Sequence, residues 1–510
     1  MHLRLTALFL LAAAPLQAAK PNILMICVDD LKPNIACFGD TTAVTPNMDA
    51  LAKRGVLFEK AYCNQAVCSP SRNSLMTGLR PQTLGIYELS THFRKAAPDA
   101  VTMTQYFMKQ GYKAEGMGKI LHVGHGNIDD AASWSVPSWK PKAPTYINPE
   151  STATTRDAKF GSDRGWATES AETGDETYAD GLVALEAVKR IETAAKTPEQ
   201  PFFIAVGFIR PHLPFVAPKK YWDLYDPAKL PMPQVKEAPK GAPEYAPQYG
   251  GELRQYSDMP RTGPIDDTMT RNLIHGYYAA TSYTDAQIGK VLKALDASGQ
   301  AENTIILLWG DHGWHLGDHS MWCKHTNYEQ AARIPVIVSA PGKPAGVKTA
   351  SLIETVDIYP TLCELAGLPA PTGLDGKSFA SVIADPSRKT RDSVIHVYPR
   401  NSLLGRAIRT DRYRLVEWKK AGGSEPADAL ELYDYQDDPL ETQNLASERP
   451  EVVKDMLAIL ATHPEAKPQF KAPGGTTKDG QPGKKKKGQG QGKGKGQAKA
   501  PGAAKKKQAE

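Results

Sequence analysis

The chain has 510 residues, enough for one large domain and a smaller one, and a formal net charge of +6. Residues 471–510 carry twelve lysines against Asp479 and Glu510, a charge of +10, and subtracting this from +6 leaves −4 for residues 1–470. The body of the protein is therefore mildly acidic, which argues against nucleic acid as a partner.

Both ends of the chain are predicted to lie outside the folded body. Residues 1–19 have a weakly basic start, an apolar run and a small-residue exit, as is typical of a secretory signal peptide. No run is long enough for a membrane span, so we expect an exported protein, periplasmic or secreted. The Lys/Gly/Gln-rich segment 471–510 lacks apolar residues and is predicted to be disordered. It either binds anionic polysaccharide or a cell surface through its charge, or only keeps the protein in solution.

Between these ends, strand-length apolar runs alternate with helical patterns, which indicates an α/β fold with a mostly parallel sheet. From about Val394 the pattern changes to short strands and one helix. We therefore expect a main α/β domain over 20–390 and a small C-terminal α+β subdomain with an antiparallel sheet over 391–470. Strands of the main domain are predicted at 22–28, 56–62, 112–117, 201–208, 304–309 and 333–340, and helices at 45–55, 69–78, 102–111, 176–195, 267–297 and 354–367. Residues 215–265 are expected to be one long loop, rich in Pro and Tyr, that forms a substrate-facing rim.

Polar residues follow four of these strands directly. Asp29 and Asp30 come after the first strand, and Lys119, Arg210 and Asp311 follow three others. Ligands collect at the carboxyl ends of parallel strands, so these clusters are expected to meet at one edge of the sheet. Two adjacent carboxylates beyond a buried strand are costly unless a positive charge lies between them, which favours a hard cation.

The sequence Cys68-Ser-Pro70-Ser-Arg72 begins one of the predicted helices. Proline suits the first helical position and Gly78 the end of the helix. Backbone N–H groups at a helix start attract anions, and the guanidinium of Arg72 matches an oxyanion. The cysteine is therefore expected to face a pocket suited to sulfate or phosphate. The other five cysteines are predicted to be mostly plain buried thiols, because they are scattered over a large body.

This Cys-x-Pro-x-Arg motif, together with Val28–Pro33, Val206–Phe215 and Asp311–Trp314, resembles the type I sulfatases of the alkaline phosphatase superfamily over roughly residues 20–450. Within that family, the stretches are most similar to the iduronate-2-sulfatase branch. The resemblance implies an alkaline-phosphatase-like sandwich with a large, mostly parallel mixed sheet between helices. It also implies that a formylglycine-generating enzyme converts Cys68 to formylglycine (3-oxoalanine), whose hydrate attacks the sulfur of a sulfate ester and later expels the sulfate.

The same resemblance implies roles for individual residues. Asp29, Asp30, Asp311, His312 and the modified residue 68 would hold one divalent cation, usually calcium in this family. Because calcium prefers oxygen and His312 offers nitrogen, magnesium and manganese remain alternatives. Arg72 would stabilise the hydrate, Lys119 and Lys324 would contact sulfate oxygens, His212 would protonate the leaving sugar oxygen, and His122 would take the proton when the sulfated hydrate collapses.

The expected substrate is a sulfated carbohydrate, with a 2-O-sulfated uronic acid of a glycosaminoglycan or algal polysaccharide as the leading choice. The segment before Arg406 is shorter than the resemblance leads us to expect, which leaves the sugar open. Two other interpretations remain: a phosphonate or phosphodiester hydrolase of the same superfamily, and a sulfated-glycan binding protein whose Cys68 is never matured. Candidates for the sugar subsite, where arginine suits a uronate carboxylate, are Trp314, His315, His92, Arg94, Arg210, Arg406 and Arg409.

Overall fold

The computed structural model of the chain describes residues 20–152 and 164–471. The predicted signal peptide at 1–19, and all of the predicted tail except Lys471, lie outside the described residues. Within the described part, no helix is long and apolar enough to cross a membrane.

The strands of the main sheet are β1 (Asn22–Val28), β2 (Val56–Tyr62), β3 (Lys113–Gly118), β5 (Phe202–Phe208), β7 (Thr304–Gly310), β10 (Arg333–Ser339), β11 (Val347–Thr349) and β12 (Ile353–Glu354). Two small ribbons consist of β4 (Thr168–Ala171) with β6 (Phe215–Pro218), and of β8 (His315–Leu316) with β9 (Trp322–Cys323). The helices are α1 (Pro46–Lys53), α2 (Cys68–Thr77), α3 (Pro81–Leu84), α4 (Phe93–Ala96), α5 (Met103–Lys109), α6 (Ala179–Ala194), α7 (Lys219–Trp222), α8 (Asp267–Ala297), α9 (Glu329–Ala332), α10 (Ile358–Leu365), α11 (Ala380–Ala384) and α12 (Pro450–Leu460).

The main sheet has the strand order β11-β2-β10-β7-β1-β5-β3, and β12 also pairs with β2. Its pairs are parallel except where β10 meets β2 and β7, which confirms the predicted mostly parallel mixed sheet. In the central register, Val28 lies beside both Phe208 and Gly310, and Gly118 lies beside Gly207. The carboxyl ends of β1, β3, β5 and β7 are therefore level with one another at one edge.

Two apolar layers enclose this sheet because its central strands are apolar on both faces. In β1, Ile23, Met25 and Cys27 belong to one buried cluster, and their neighbours in sequence belong to the other. Helices α2, α5 and α10 contribute to the first cluster, and α1, α6 and α8 to the second. Period-two alternation places successive side chains on opposite faces, so the continuous apolar runs require helices on both sides. The result is the predicted sandwich.

The C-terminal part is a four-stranded antiparallel sheet, as predicted, and its strands lie side by side in the order in which they occur in the sequence. Helix α12 covers one of its faces through Val453, Met456 and Leu460. A backbone hydrogen bond from Val397 N to Asn64 O (2.9 Å) ties this sheet to the segment before α2. The strands are β13 (Val394–Arg400), β14 (Leu403–Arg409), β15 (Tyr413–Lys419) and β16 (Ala429–Asp434).

Two local details differ from the sequence-based prediction. Residues 215–265, expected to be one long loop, contain β6 and α7 at their start. Prolines at both ends of the apolar stretch Phe215–Ala217 hid the strand signal, since proline within a sheet is mostly confined to edge strands, strand starts and bulges. Helix α2 begins at Cys68 itself, with Val67 as the N-cap residue, so the cysteine lies in the first turn of the helix.

Candidate active site

The predicted polar clusters meet at the carboxyl edge of β3, β5, β1 and β7. Asp29 and Asp30 follow β1, Lys119 follows β3, and Asp311 follows β7. Helix α2 brings Cys68 to the same place: its Sγ lies 3.4 Å from His312 Nε2 and 3.7 Å from Lys119 Nζ. The convergence follows from the level strand ends, which the parallel register imposes.

Arg72 is the fully buried cation at the centre of this cluster. Its Nη2 lies 3.0 Å from Asp29 Oδ1, and its Nε lies 3.0 Å from Asp311 Oδ2. It also donates to the carbonyl oxygens of Lys119 and Ile120. One guanidinium thus fixes the first turn of α2 against the ends of three strands, a geometry that needs the planar fork of arginine.

Lys119 and Lys324 supply two further positive charges. Lys119 Nζ pairs with Asp29, and Lys324 Nζ lies 3.0 Å from Asp30 Oδ2 and 5.1 Å from the centre of the Trp314 ring. Burial opposes the charge of both lysines, but the neighbouring carboxylates more than offset it, so the pKa of each is raised. Both side chains are ammonium ions at the edge of the site.

The three buried carboxylates fit a divalent cation. The donor atoms of Asp29, Cys68, Asp311 and His312 all lie within 4.8 Å of one another. Burial raises the pKa of Asp30 well above its usual range and also raises that of Asp311, which is the expected result of crowding carboxylates away from water. A cation among them would keep them ionised.

His312 gives an independent test of that fit. Its Nδ1 lies 3.1 Å from the carbonyl oxygen of Gly313 and can donate to it. The lone pair of Nε2 is then directed at Asp30 Oδ1, 3.3 Å away, and at the sulfur of Cys68. A lone pair facing a carboxylate is repelled unless a cation lies between them, and backbone-fixed tautomers of this kind are usual for histidine ligands.

The thiol of Cys68 is poorly suited to act as a nucleophile itself. Its residue is only 3% exposed. Burial and then the charge of Asp29 raise the pKa of the thiol to about 12, in spite of Lys119 and Lys324 nearby. Since the thiolate is the reactive form of cysteine, the unmodified side chain is inert at neutral pH.

Two histidines flank the nucleophile position. His122 is buried, with Nε2 3.1 Å from His125 Nδ1, and burial and then Lys119 lower its pKa to about 3. His212 Nδ1 lies 2.6 Å from Leu213 O, which leaves Nε2 directed into the site. Burial and then Lys324 hold the pKa of His212 well below its usual range. Both imidazoles are neutral in the free site.

A cavity of about 470 Å³ opens beside the nucleophile. Its polar lining includes Lys119, His122, Arg210 and His212, and Leu121, Pro141 and Pro214 are among the apolar lining residues. A larger cavity of about 830 Å³ exists elsewhere, but none of the predicted site residues line it. The smaller cavity is therefore the candidate substrate pocket, because it contains the chemistry.

Of the seven residues predicted for the sugar subsite, only Arg210 lines this cavity. Trp314 and His315 have no exposed area, because the β8–β9 ribbon turns them inward, and both ring nitrogens of His315 already have partners in Asp318 and Thr326. They cannot contact a sugar in this conformation.

The remaining four side chains have structural partners instead. Arg94 makes a bidentate pair with Asp130, and His92 accepts from Arg94 N as the N-cap of α4. Arg406 pairs with Glu417 across the β14–β15 register, and Arg409 lies 3.4 Å from Glu329. The three arginines are thus paired with carboxylates of the fold, and His92 caps a helix.

Glu252 is a further residue of the site that the sequence did not predict. Its carboxylate oxygens lie 3.0 Å from Lys324 Nζ and 3.3 Å from His212 Nε2, so it belongs to the site. It lies in an irregular stretch after Gly250-Gly251, outside any strand end or motif. The only signal was the length of the segment 215–265, which favoured a substrate-facing rim.

Close backbone contact between β3 and β5 positions Lys119. Lys119 N donates to Gly207 O at 2.9 Å, and a Cβ at position 207 would lie 2.3 Å from Lys119 O. We expect Gly207→Ala to lower kcat/KM by about 10²-fold, since a displacement near 1 Å at a catalytic group has that effect. Steady-state kinetics with thermal unfolding checks this. Gly174→Ala, where the new methyl group finds ordinary van der Waals distance, is the matched control. Unchanged kinetics in a folded Gly207→Ala protein would contradict the positioning role.

The fold, the buried cluster that could hold a cation, and the Cys-x-Pro-x-Arg helix define one class of protein. Residues 21–368 match the family model described as Sulfatase, and residues 317–463 match that described as N-sulphoglucosamine sulphohydrolase, C-terminal. The chain belongs to the sulfatase family and is a sulfuric ester hydrolase.

Among its relatives are iduronate 2-sulfatases. The human protein is 32% identical over 505 residues, covering 83% of this chain and 90% of the relative, and the mouse protein is 35% identical over 384 residues, covering 69% of each. Two solved structures show the same fold. A protein in complex with its substrate D-glucosamine-2-N,6-O-disulfate has a TM-score of 0.70 at 21% identity and covers 87% of this chain and 97% of its own. A phosphonate monoester hydrolase from Silicibacter pomeroyi has a TM-score of 0.70 at 22% identity, with coverage of 87% and 94%.

Proposed function

We propose that this sulfatase removes sulfate from a 2-O-sulfated uronic acid unit of a glycosaminoglycan or algal polysaccharide. The observation that carries the proposal is the cavity lined by Lys119, His122, Arg210 and His212 beside Cys68. It offers cationic groups for a sulfate ester and two imidazoles for proton transfer. The likeness to iduronate 2-sulfatases over most of the chain supports the choice of sugar.

Cys68 is proposed to be oxidised to formylglycine by a dedicated maturation enzyme. As a hydrate, that group supplies an oxygen nucleophile for sulfur and a second hydroxyl whose ionisation expels the sulfate. Arg72 fixes the first turn of α2, and with it residue 68, through its ion pairs with Asp29 and Asp311. The inert thiol of Cys68 accords with a need for modification.

Asp29, Asp30, Asp311, His312 and residue 68 would hold a divalent cation, which supplies charge neutralisation and Lewis acidity. The three carboxylates favour calcium, and the imidazole nitrogen keeps magnesium and manganese as alternatives.

Side chains that line the cavity or lie beside it have the remaining roles. Lys119 lines the cavity, and Lys324 shares Glu252 with the cavity-lining His212. Both lysines place positive charge near the sulfate oxygens, where negative charge builds up in the transition state. His212 donates a proton from Nε2 to the leaving sugar oxygen. Because the pKa of His212 is low in the free site, it must first take that proton from water, and the negative charge of the bound ester favours this uptake. The pKa of His122 is about 3, so this imidazole is neutral at working pH and can accept a proton as sulfate is expelled.

Arg210 is the proposed partner of the uronate carboxylate. Its Nη1 donates to the carbonyl oxygen of His212 at 2.6 Å, which holds the guanidinium on the same loop as the acid. The residue also lines the cavity. A bidentate guanidinium–carboxylate contact would then fix the sugar relative to His212.

The same proposal assigns a role to each part of the chain. Residues 20–390 form the catalytic domain and residues 391–470 the C-terminal subdomain. Export through the 1–19 signal peptide would deliver the enzyme to the periplasm or medium, where its polysaccharide substrate occurs. The lysine-rich tail at 471–510 would hold it on anionic polysaccharide or a cell surface.

The testing experiment uses protein with converted Cys68, calcium, and disaccharides that carry one sulfate at either the uronate 2-position or the hexosamine 6-position. We expect sulfate release from the 2-sulfated compound alone, and Arg210→Gln should raise its KM by about tenfold or more, as for a lost charge-assisted contact. Release from the 6-sulfated compound alone would overturn the proposed sugar. Faster cleavage of an aryl phosphonate monoester than of any sulfate would favour the phosphonate hydrolase interpretation.

A further inference from the structure

Glu252 is an anionic group placed where the site must bind an anion. It lies 3.0 Å from Lys324 Nζ and 3.3 Å from His212 Nε2, and its side chain is only 14% exposed. These are the two groups proposed to meet a sulfate oxygen and the leaving oxygen. A carboxylate here cancels positive charge at the point of substrate contact.

The carboxylate also stays ionised. Burial raises the pKa of Glu252, but the Lys324 ammonium 3.0 Å away more than offsets that effect, so the pKa lies well below its usual range. Its negative charge is thus a permanent feature of this edge of the site. In such a shielded position, a charge acts strongly on any second charge a few ångströms away.

Sulfate and phosphate monoesters have the same tetrahedral shape, and they differ in charge. A sulfate monoester carries one negative charge, whereas a phosphate monoester gains a second above a pKa of about 6. Shape alone cannot separate these two substrates, but a fixed negative charge beside the binding cations can, because it repels the doubly charged ester more strongly.

We propose that Glu252 is a specificity-determining residue that lets the site take singly charged sulfate esters and reject doubly charged phosphate monoesters. The proposal rests on the positions that the proposed function gives to Lys324 and His212. It does not depend on which sugar carries the sulfate.

The test compares kcat/KM for three aryl esters with the same leaving group at pH 8: a sulfate, a phosphate monoester and a phosphonate monoester. The phosphonate monoester is the charge control, since it contains phosphorus but carries one negative charge. In Glu252→Gln, we expect the phosphate-to-sulfate ratio to rise by roughly tenfold or more, as like-charge repulsion is removed. The phosphonate-to-sulfate ratio should stay unchanged within about twofold.

Two variants serve as matched controls. Glu252→Asp keeps the charge, and Glu244→Gln makes the same change in net charge at an exposed position in the same 215–265 segment. Both should leave the phosphate-to-sulfate ratio near its original value. If Glu252→Gln does not fold, Glu252→Ala replaces it and must move the ratio in the same direction.

Equilibrium binding separates this proposal from the proposed reaction. In a Cys68→Ala background, calorimetry of the aryl phosphate and aryl sulfate should show the same shift on Glu252→Gln without turnover. That shift in a protein inactive on sugar sulfates would retain the role of Glu252 and reject the substrate. An unchanged ratio in a folded variant, an equal loss for all three esters, or a phosphonate ratio that rises with the phosphate ratio would overturn the proposal.

Discussion

Replacement of Cys68 by alanine is expected to lower kcat for every sulfate ester by roughly 10⁴-fold or more, the scale of loss when a covalent nucleophile is removed. The fold should survive, because Cys68 lies in the first turn of α2 and that turn is held by Arg72 through Asp29 and Asp311. Sulfate release under saturating substrate, with thermal unfolding of the same samples, checks both statements.

The matched control for this variant is Cys363→Ala. Cys363 is also fully buried, but it lies in α10 within the apolar layer rather than at the sheet edge. The Cys363→Ala protein should keep its kcat, and its free energy of unfolding should fall by about 1 kcal/mol or more because a buried sulfur is lost. Substantial turnover in Cys68→Ala would mean that another residue is the nucleophile.

His212→Ala is expected to have the second largest effect, and one that depends on the leaving group. Sugar sulfates have poor leaving groups, so loss of the acid should lower their kcat by about 10²- to 10⁴-fold. Aryl sulfates with acidic phenols need little protonation and should lose less than about tenfold. Measured kcat values across a series of leaving groups test the difference.

His275→Ala is a suitable control because that histidine, half-buried on α8, donates only to Trp222 O at 2.8 Å outside the site. It should leave the dependence on leaving group unchanged. Equal losses for sugar and aryl sulfates in His212→Ala would remove the proposed role of His212 as the acid and leave it a positioning role.

Sequence alone predicted the sheet and the convergence of its polar edge because both depend on local, periodic signals. An apolar run such as Asn22–Val28 specifies a strand buried on both faces, and parallel register then brings its end level with its neighbours. Asp29, Asp311 and Lys119 follow such strands directly. Cys68 begins a helix and does not follow a strand end, so its meeting with them was implied by the resemblance to the sulfatases and not by the strand pattern.

The sugar subsite could not be predicted in this way because exposure depends on tertiary pairing. Arg406 stands directly across from Glu417 in the β14–β15 register. The guanidinium that was predicted to contact a substrate is therefore paired with a carboxylate of the next strand. Trp314 was expected in the sugar subsite, but it lies directly before the short β8–β9 ribbon and is buried in the core. Glu252 lies in an irregular segment, where no hydrophobic periodicity indicates which way a side chain points.

Peptide mass spectrometry of residue 68 in active protein tests most directly whether this sulfatase works through a modified cysteine. We expect position 68 to carry the mass of the aldehyde or its hydrate, and kcat across preparations to be proportional to the converted fraction. Full sulfate turnover by protein in which residue 68 remains an unmodified thiol would contradict it.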